Sequence, residues 1–186
     1  VIKLIESYLI NKKKYINYIE GIYIGDFKEF KGRNIQAMFN DGVIYVSNSF
    51  NDSNITEERI AKDIIHEIGH SLENVFSLKL YGDNLIRDEF LGKRKRLLDL
   101  LKFEGILIPK ELFLTDTEYN FNIDKILYRD IGYEKLSLEI KGLFLSPYCV
   151  TSLSEYFGNG FEEYITGDKE YLKQLCPYLF DKLKSL

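Results

Sequence analysis

Residues 66–70 are His66-Glu67-Ile68-Gly69-His70, an HExxH pentapeptide that contains both histidines of the 186-residue chain. In an α-helix, side chains four positions apart lie on one face, so both imidazoles can bind the same metal ion. Imidazole is a common zinc ligand, and a glutamate beside the first histidine of such a pair can accept a proton from water near the metal. The pentapeptide therefore predicts one Zn²⁺ per chain, with Glu67 as the general base of a hydrolytic reaction.

The residues around the pentapeptide fit a helix of about residues 55–74. Asn54 is the candidate N-cap, and Glu57 occupies the capping-box position. Apolar side chains recur at helical intervals in one broad stripe, which leaves His66 and His70 on the other side. The stripe consists of Ile60, Ala61, Ile64, Ile65, Ile68 and Leu72. We therefore favour a metal-binding helix over two histidines with ordinary packing roles.

The composition of the whole chain limits the classes of protein to consider. A length of 186 residues with 45% hydrophobic content suits one domain with a substantial core, and no 18-residue apolar run predicts a membrane span. The net charge of −4 argues against nucleic-acid binding, so the basic run Lys93-Arg94-Lys95-Arg96 is interpreted as a solvated helix face. The two cysteines, Cys149 and Cys176, are too few for a disulfide scaffold and are expected to be buried.

The order of predicted elements is that of a mainly helical α+β domain. Helices and a small sheet are expected in residues 1–54, before the metal-binding helix. A helical middle region follows in residues 77–144, and residues 145–186 are expected to form a third-ligand helix and a C-terminal helix. The first residues lack the cleavage pattern of a secretory signal.

The short β-type runs include Gly21–Gly25, residues 34–39 and Val43–Ser47. The pair Asp41-Gly42 between the last two runs predicts a hairpin. If the strand before the metal-binding helix has an unpaired edge, an extended peptide can add to it across the metal. The candidate substrate-binding residues are then Val43, Ile44, Tyr45 and Val46. An ordinary interior strand is the alternative.

A catalytic zinc usually takes three protein ligands and keeps one position open for water. The metzincin pattern requires Gly and His at positions 73 and 76, which hold Glu73 and Phe76, so this class is excluded. A carboxylate, or less often a tyrosine, is the expected third ligand. In residues 152–165, Glu155, Asn159 and Glu162 share one helical face. Glu155 is the first candidate and Glu162 its rival, although Glu155 could instead answer Ser152 in a capping box.

The C-terminal part of the chain resembles a known family. Tyr148 is followed after six residues by Glu155-Tyr156-Phe157-Gly158-Asn159-Gly160-Phe161, and later by Cys176-Pro177-Tyr178. This pattern is similar to the anthrax lethal factor-like zinc metallopeptidases, including the bacterial Pro-Pro endopeptidases, over about residues 34–76 and 145–186. The resemblance implies a zincin-like fold, Glu155 as third ligand and Tyr148 as the active-site phenol. It also implies a secreted bacterial endopeptidase that acts on a peptide or protein substrate, and we expect a monomer.

The chain departs from this family at Asn159, where the family tends to carry a second glutamate that supports a metal ligand. A neutral amide there keeps a hydrogen-bond acceptor without the charge. Two alternatives follow. One is a regulatory HExxH peptidase of the repressor-cleaving type, in which the ligand glutamate lies closer downstream and Tyr148 has no counterpart. The other is a catalytically silent toxin or binding module that retains the zincin fold.

Overall fold

The computed structural model describes residues 1–27, 30, 36–48 and 56–186. This part of the chain is α+β, and most of it is helical. The α-helices are α1 (Ile2–Tyr8), α2 (Glu57–Tyr81), α3 (Leu85–Phe103), α4 (Lys110–Thr115), α5 (Phe121–Lys125), α6 (Tyr133–Glu139), α7 (Leu153–Thr166), α8 (Lys169–Leu175) and α9 (Pro177–Ser185). Shorter 3₁₀ turns span Lys13–Ile16 and Tyr148–Val150, and a π-helical stretch spans Ile126–Gly132. The strands are β1 (Gly21–Gly25), β2 (Ala37–Asn40) and β3 (Val43–Ser47).

The predicted hairpin is present between β2 and β3. These strands pair antiparallel with Asn40 opposite Val43, so the loop has two residues. Asp41 and Gly42 both have positive φ, 45° and 82°, as a type I′ turn requires. Of the predicted strand over residues 34–39, positions 34 and 35 lie outside the described residues, and β2 begins at Ala37.

The strand Val43–Ser47 is present, but it has no unpaired edge, so the alternative of an interior strand is the one that the structure shows. The sheet order is β1-β3-β2, so β3 is the central strand, parallel to β1 and antiparallel to β2. Ile44 and Val46 are fully buried in the core. The backbone of Val43, Ile44, Tyr45 and Val46 therefore cannot accept an added strand. Both strands of this short hairpin carry hydrophobic side chains, so the sequence does not indicate which of the two strands pairs with a third strand.

The helix with the HExxH pentapeptide is longer than predicted and begins at a different cap. α2 spans Glu57–Tyr81, and the side chain of Thr56 accepts a hydrogen bond from the backbone N–H of Arg59. The predicted cap, Asn54, lies outside the described residues. The predicted stripe is confirmed, because all its members except the half-buried Ile60 are buried in the core. A local break in the helix occurs at Phe76.

The middle region contains helices α3 to α6, but the basic run in α3 is not a solvated face. Lys93 and Arg94 are buried, whereas Lys95 and Arg96 are exposed. Cys149 and Cys176 are both buried free thiols, as expected. Within the described ranges, no helix is long and apolar enough to cross a membrane.

Candidate metal centre

The structure brings the two histidines of α2 together with Glu155 of α7. His66 Nε2 lies 3.0 Å from His70 Nε2 and 3.1 Å from Glu155 Oε2, and His70 Nε2 lies 3.9 Å from the same oxygen. One ligand atom from each residue falls within 4.8 Å of the others. The three residues thus form a possible metal-binding triad, as the sequence predicts.

The helix cap at Ser152 does not compete with this role of Glu155. Ser152 is the N-cap of α7, and its side chain accepts a hydrogen bond from the backbone N–H of Glu155 at 3.1 Å. The Glu155 carboxylate meets His66 instead. Glu155 therefore supplies its backbone to the cap and its side chain to the triad.

Close contact between α2 and α7 depends on glycine. A Cβ at position 158 would lie 2.8 Å from Cε1 and Nε2 of His66 and 3.0 Å from Cε1 of His70. A Cβ at Gly69 would lie 3.2 Å from the side chain of Phe161. Since a missing Cβ permits this close approach, the two glycines let the helix with Glu155 lie directly over the imidazoles.

Carboxylates also lie at the far side of each imidazole. His70 Nδ1 is 3.1 Å from Glu73 Oε2, and His66 Nδ1 is 3.7 Å from Glu162 Oε2. Glu162, the rival third ligand, thus lies on the opposite side of His66 from Glu155. The sequence does not reveal this role of Glu73, because a glutamate three residues after a histidine is common on any solvated helix face.

The electrostatics of the triad suit a cation. Burial disfavours the charged form of His66, but hydrogen bonds to Glu155 and Glu162 and the charges of Glu155 and Glu67 outweigh it and raise the pKa of His66 to about 10. Two imidazole nitrogens and one carboxylate oxygen, drawn together from two helices, are also a typical zinc donor set, so the residues fit this metal.

Glu67 lies between the triad and the outer side of the sheet. Its carboxylate accepts a hydrogen bond from the backbone N–H of Phe39 at 2.7 Å. The N–H of Ser47 donates to the carbonyl of Gln36, so Gln36 and Ser47 form a hydrogen-bonded pair. Hydrogen-bonded and non-hydrogen-bonded pairs alternate along an antiparallel ladder. Phe39, three residues after Gln36, is therefore in a non-hydrogen-bonded pair, and its N–H points away from β3. Burial, aided by the charge of Glu155, raises the pKa of Glu67 despite the opposing effects of both histidines and of this hydrogen bond.

Tyr148 lies on the 3₁₀ turn just before α7 and is about half exposed. Burial is the largest cause of its raised pKa, followed by the negative charges of Glu155 and Asp124. Glu67 contributes as well, so the hydroxyl lies within range of the charges at the triad. Because the pKa is raised, the phenol keeps its proton and remains a hydrogen-bond donor at neutral pH.

The middle region contributes a neighbouring polar group that sequence analysis did not find. Asp124 accepts hydrogen bonds from the hydroxyls of Tyr119, at 2.7 Å, and Tyr133, at 3.1 Å. Burial, the hydrogen bond to Asp124 and the charges of Asp124 and Glu155 raise the pKa of Tyr119 to about 12. The spacing of these residues matches no motif, and their proximity results from the π-helical stretch and the turn before α5.

Asn159 lies on the predicted helix, but its hydrogen bonds are to groups other than the imidazoles. Its Nδ2 donates to the backbone carbonyl of Glu155 at 2.9 Å, and its Oδ1 accepts from Ser146 Oγ at 2.9 Å. Asn159 therefore links α7 to the segment before the Tyr148 turn. Among the described residues, the carboxylates beside the Nδ1 atoms of the two imidazoles are those of Glu73 and Glu162.

No protein-family model matches the chain, and comparisons with curated proteins and with solved structures found no match.

Proposed function

We propose that the protein is a zinc-dependent endopeptidase with a zincin-like fold. The observation that carries this proposal is the convergence of His66, His70 and Glu155 beside Glu67, at the outer side of β2. The similarity of Tyr148, Glu155 and the Pro177 segment to the lethal factor-like zinc peptidases supports the same function. By that resemblance the protein is a secreted bacterial enzyme.

In this proposal His66, His70 and Glu155 hold the zinc ion. When bound, zinc lowers the pKa of a coordinated water toward about 7 and polarises the scissile carbonyl. Glu67 accepts the proton of the attacking water and then delivers it to the departing amine. The Tyr148 hydroxyl donates a hydrogen bond to the developing oxyanion.

The substrate strand is reassigned from β3 to β2. In the described part of the sheet, β2 is an outer strand, and its side away from β3 faces Glu67. An extended peptide on the outer side of β2, next to the N–H of Phe39 that Glu67 already occupies, would bring its carbonyl toward Glu67 and the metal ligands. The substrate is thus a peptide in extended conformation.

The decisive experiment measures zinc uptake and peptide cleavage on the same protein. Wild type, stripped with a chelator and titrated with Zn²⁺, should bind one ion per chain and cleave members of a broad peptide library. His66→Ala should bind no zinc. Glu67→Gln should keep zinc and lose on the order of 10² to 10⁴ in turnover, the usual contribution of a general base. Absence of zinc uptake by the wild type contradicts the proposal.

The same measurements separate the alternatives. Glu155→Ala should weaken zinc binding strongly and Glu162→Ala much less, because Glu162 faces the far side of His66. Zinc binding that survives Glu155→Ala favours the repressor-cleaving type of peptidase. Zinc binding without cleavage of any library peptide favours the silent module.

A further inference from the structure

Glu73 is the centre of a buried hydrogen-bond network behind His70. Its Oε2 accepts from Ser154 Oγ at 2.6 Å and lies 3.1 Å from His70 Nδ1. Its Oε1 accepts from the Tyr81 hydroxyl at 2.5 Å. The side chain of Glu73 is 14% exposed. Two hydroxyl donors and one imidazole nitrogen thus converge on one carboxylate that is nearly closed off from solvent.

The network determines which nitrogen of His70 carries hydrogen. An ionised carboxylate has no hydrogen to give, so a hydrogen bond between His70 and ionised Glu73 requires a hydrogen on Nδ1. Ser154 Oγ, 3.2 Å from Nδ1, has already given its own hydrogen to Glu73 and can only accept there. In neutral His70, Nε2 therefore carries the lone pair, on the side where His66 and Glu155 lie.

The same network joins the two helices of the triad. His70, Glu73 and Tyr81 belong to α2, whereas Ser154 is the residue before Glu155 in α7. Tyr81 lies beyond the break at Phe76, and its ring packs edge-on against Phe157 of α7, with centroids 6.5 Å apart. The orientation of His70 and the position of the third ligand consequently depend on one anion.

We propose that Glu73, held by Ser154 and Tyr81, is the positioning residue of the metal site and fixes His70 as the Nδ1–H tautomer. The inference rests on the proposed metal site. It places at position 73 the supporting carboxylate that the family resemblance places at position 159. This replacement explains how Asn159 is compatible with a functional metal centre.

Because the chain has only two histidines, the tautomer can be measured directly. The ¹⁵N–¹H correlation spectrum of the imidazoles in the metal-free protein contains signals from two rings. The His66→Gln variant removes one set of signals and so assigns both. Wild-type His70 should show hydrogen on Nδ1 and an unprotonated Nε2. Glu73→Ala should convert His70 to a mixture of tautomers and weaken zinc binding by about 10 to 100-fold, the usual effect of losing such a partner. Glu73→Gln, which keeps the shape and an acceptor oxygen, should give a smaller loss.

Two milder variants test the network without touching Glu73. Ser154→Ala and Tyr81→Phe each remove one donor to the carboxylate, and each should weaken zinc binding less than Glu73→Ala. The matched controls are Glu58→Gln, an exposed glutamate of α2, and Tyr171→Phe, an exposed tyrosine of α8. Neither control should change the His70 tautomer or zinc affinity.

The results distinguish this inference from the proposed function. An Nε2–H tautomer of His70 in the wild type overturns it, even if zinc binds. The inference is also overturned if the variants at Glu73, Ser154 and Tyr81 lower the melting temperature but leave the His70 tautomer and the zinc affinity unchanged. Glu73 would then act only in packing. If Glu73→Ala does not fold, the double variant Ser154→Ala, Tyr81→Phe decides by the same two measurements. A wild type that shows the Nδ1–H tautomer but binds no zinc contradicts the peptidase proposal and leaves the tautomer assignment supported.

Discussion

Arg94 is a buried polar group and the His66–His70–Glu155 triad is a partly buried one, and their hydrogen bonding differs. The guanidinium of Arg94 donates to the carbonyls of Phe113, Asp116, Val150 and Thr151 at 2.6–3.1 Å. It also lies over the rings of Phe90 and Phe113, 4.4 and 4.8 Å from their centroids. In the triad, by contrast, three atoms that can each act as acceptors point at one another.

The difference indicates two uses of buried charge. All the N–H donors of the Arg94 guanidinium are hydrogen-bonded to carbonyl oxygens, so Arg94 stabilises the fold and has no donor left for a ligand. In the triad, lone pairs of nitrogen and oxygen lie close together, and a proton or a metal ion between them would offset their repulsion. Burial alone would not separate these cases, because Arg94 is 1% exposed and the side chains of His66 and His70 only 13% and 17%.

The largest expected effect is loss of stability when Arg94 is replaced. Arg94→Met should lower the free energy of unfolding by about 3–5 kcal/mol, since several buried carbonyls lose their donor. Urea unfolding measures this. Arg96→Met, on the exposed face of the same helix, should cost less than about 0.5 kcal/mol. Equal costs for the two variants would remove the contrast between Arg94 and the triad. In the folded fraction, Arg94→Met should still bind zinc.

Next in size is the effect of Tyr148→Phe on turnover. Removal of one oxyanion donor costs on the order of 10² to 10³ in kcat, whereas zinc affinity should not change because the hydroxyl is not a ligand. Tyr171→Phe, an exposed tyrosine distant in sequence, serves as the control. Steady-state kinetics on a library-derived peptide provide the measurement. Wild-type kcat in Tyr148→Phe would assign this residue to packing.

The sequence predicted the two histidines of the triad because their geometry is local, whereas Glu155, on another helix, was singled out from its rival Glu162 only by the family resemblance. Two histidines on one helix face follow from periodicity, and the apolar stripe fixed which face is buried. The partners from other elements were harder to predict. The position of β2 at the outside of the described part of the sheet has no local signal, because the order of strands depends on the third strand, β1. The contact of Phe39 with Glu67 has none either, because the two residues belong to different elements.

The basic run shows the same limitation. Lys93 and Arg94 are not distinguishable from Lys95 and Arg96 by composition, and only the tertiary structure supplies the carbonyls that Arg94 binds. Lys93 similarly donates to the carbonyls of Leu143 and Leu175. Sequence patterns treat a charged residue as solvated, whereas a complete set of acceptors permits burial.

A smaller effect is expected from Gly158→Ala, with Gly92→Ala as its matched control. Both glycines lie inside helices, where alanine usually adds about 0.5–1 kcal/mol of stability. A Cβ at Gly92 meets nothing within 4 Å, so this variant should be stabilised. At Gly158 the added carbon would displace His66 and His70, and zinc affinity should fall about tenfold or more. Unchanged zinc affinity in Gly158→Ala would mean that the imidazoles are not constrained by α7.

The smallest effect is expected from Asn159→Glu, which restores the residue typical of the family. Glutamate cannot donate to the Glu155 carbonyl as Asn159 does, and its longer side chain no longer matches Ser146. The loss should be about 1–2 kcal/mol of stability, the scale of one or two neutral hydrogen bonds. Zinc affinity should not rise, because Glu162 and Glu73 already lie beside the two imidazoles. The control is Asn159→Asp, because aspartate has the shape of asparagine and the charge of glutamate and so tests the added charge without the added length. Calorimetric titration with Zn²⁺ and thermal unfolding measure both quantities, and tighter zinc binding by Asn159→Glu would return the supporting role to position 159.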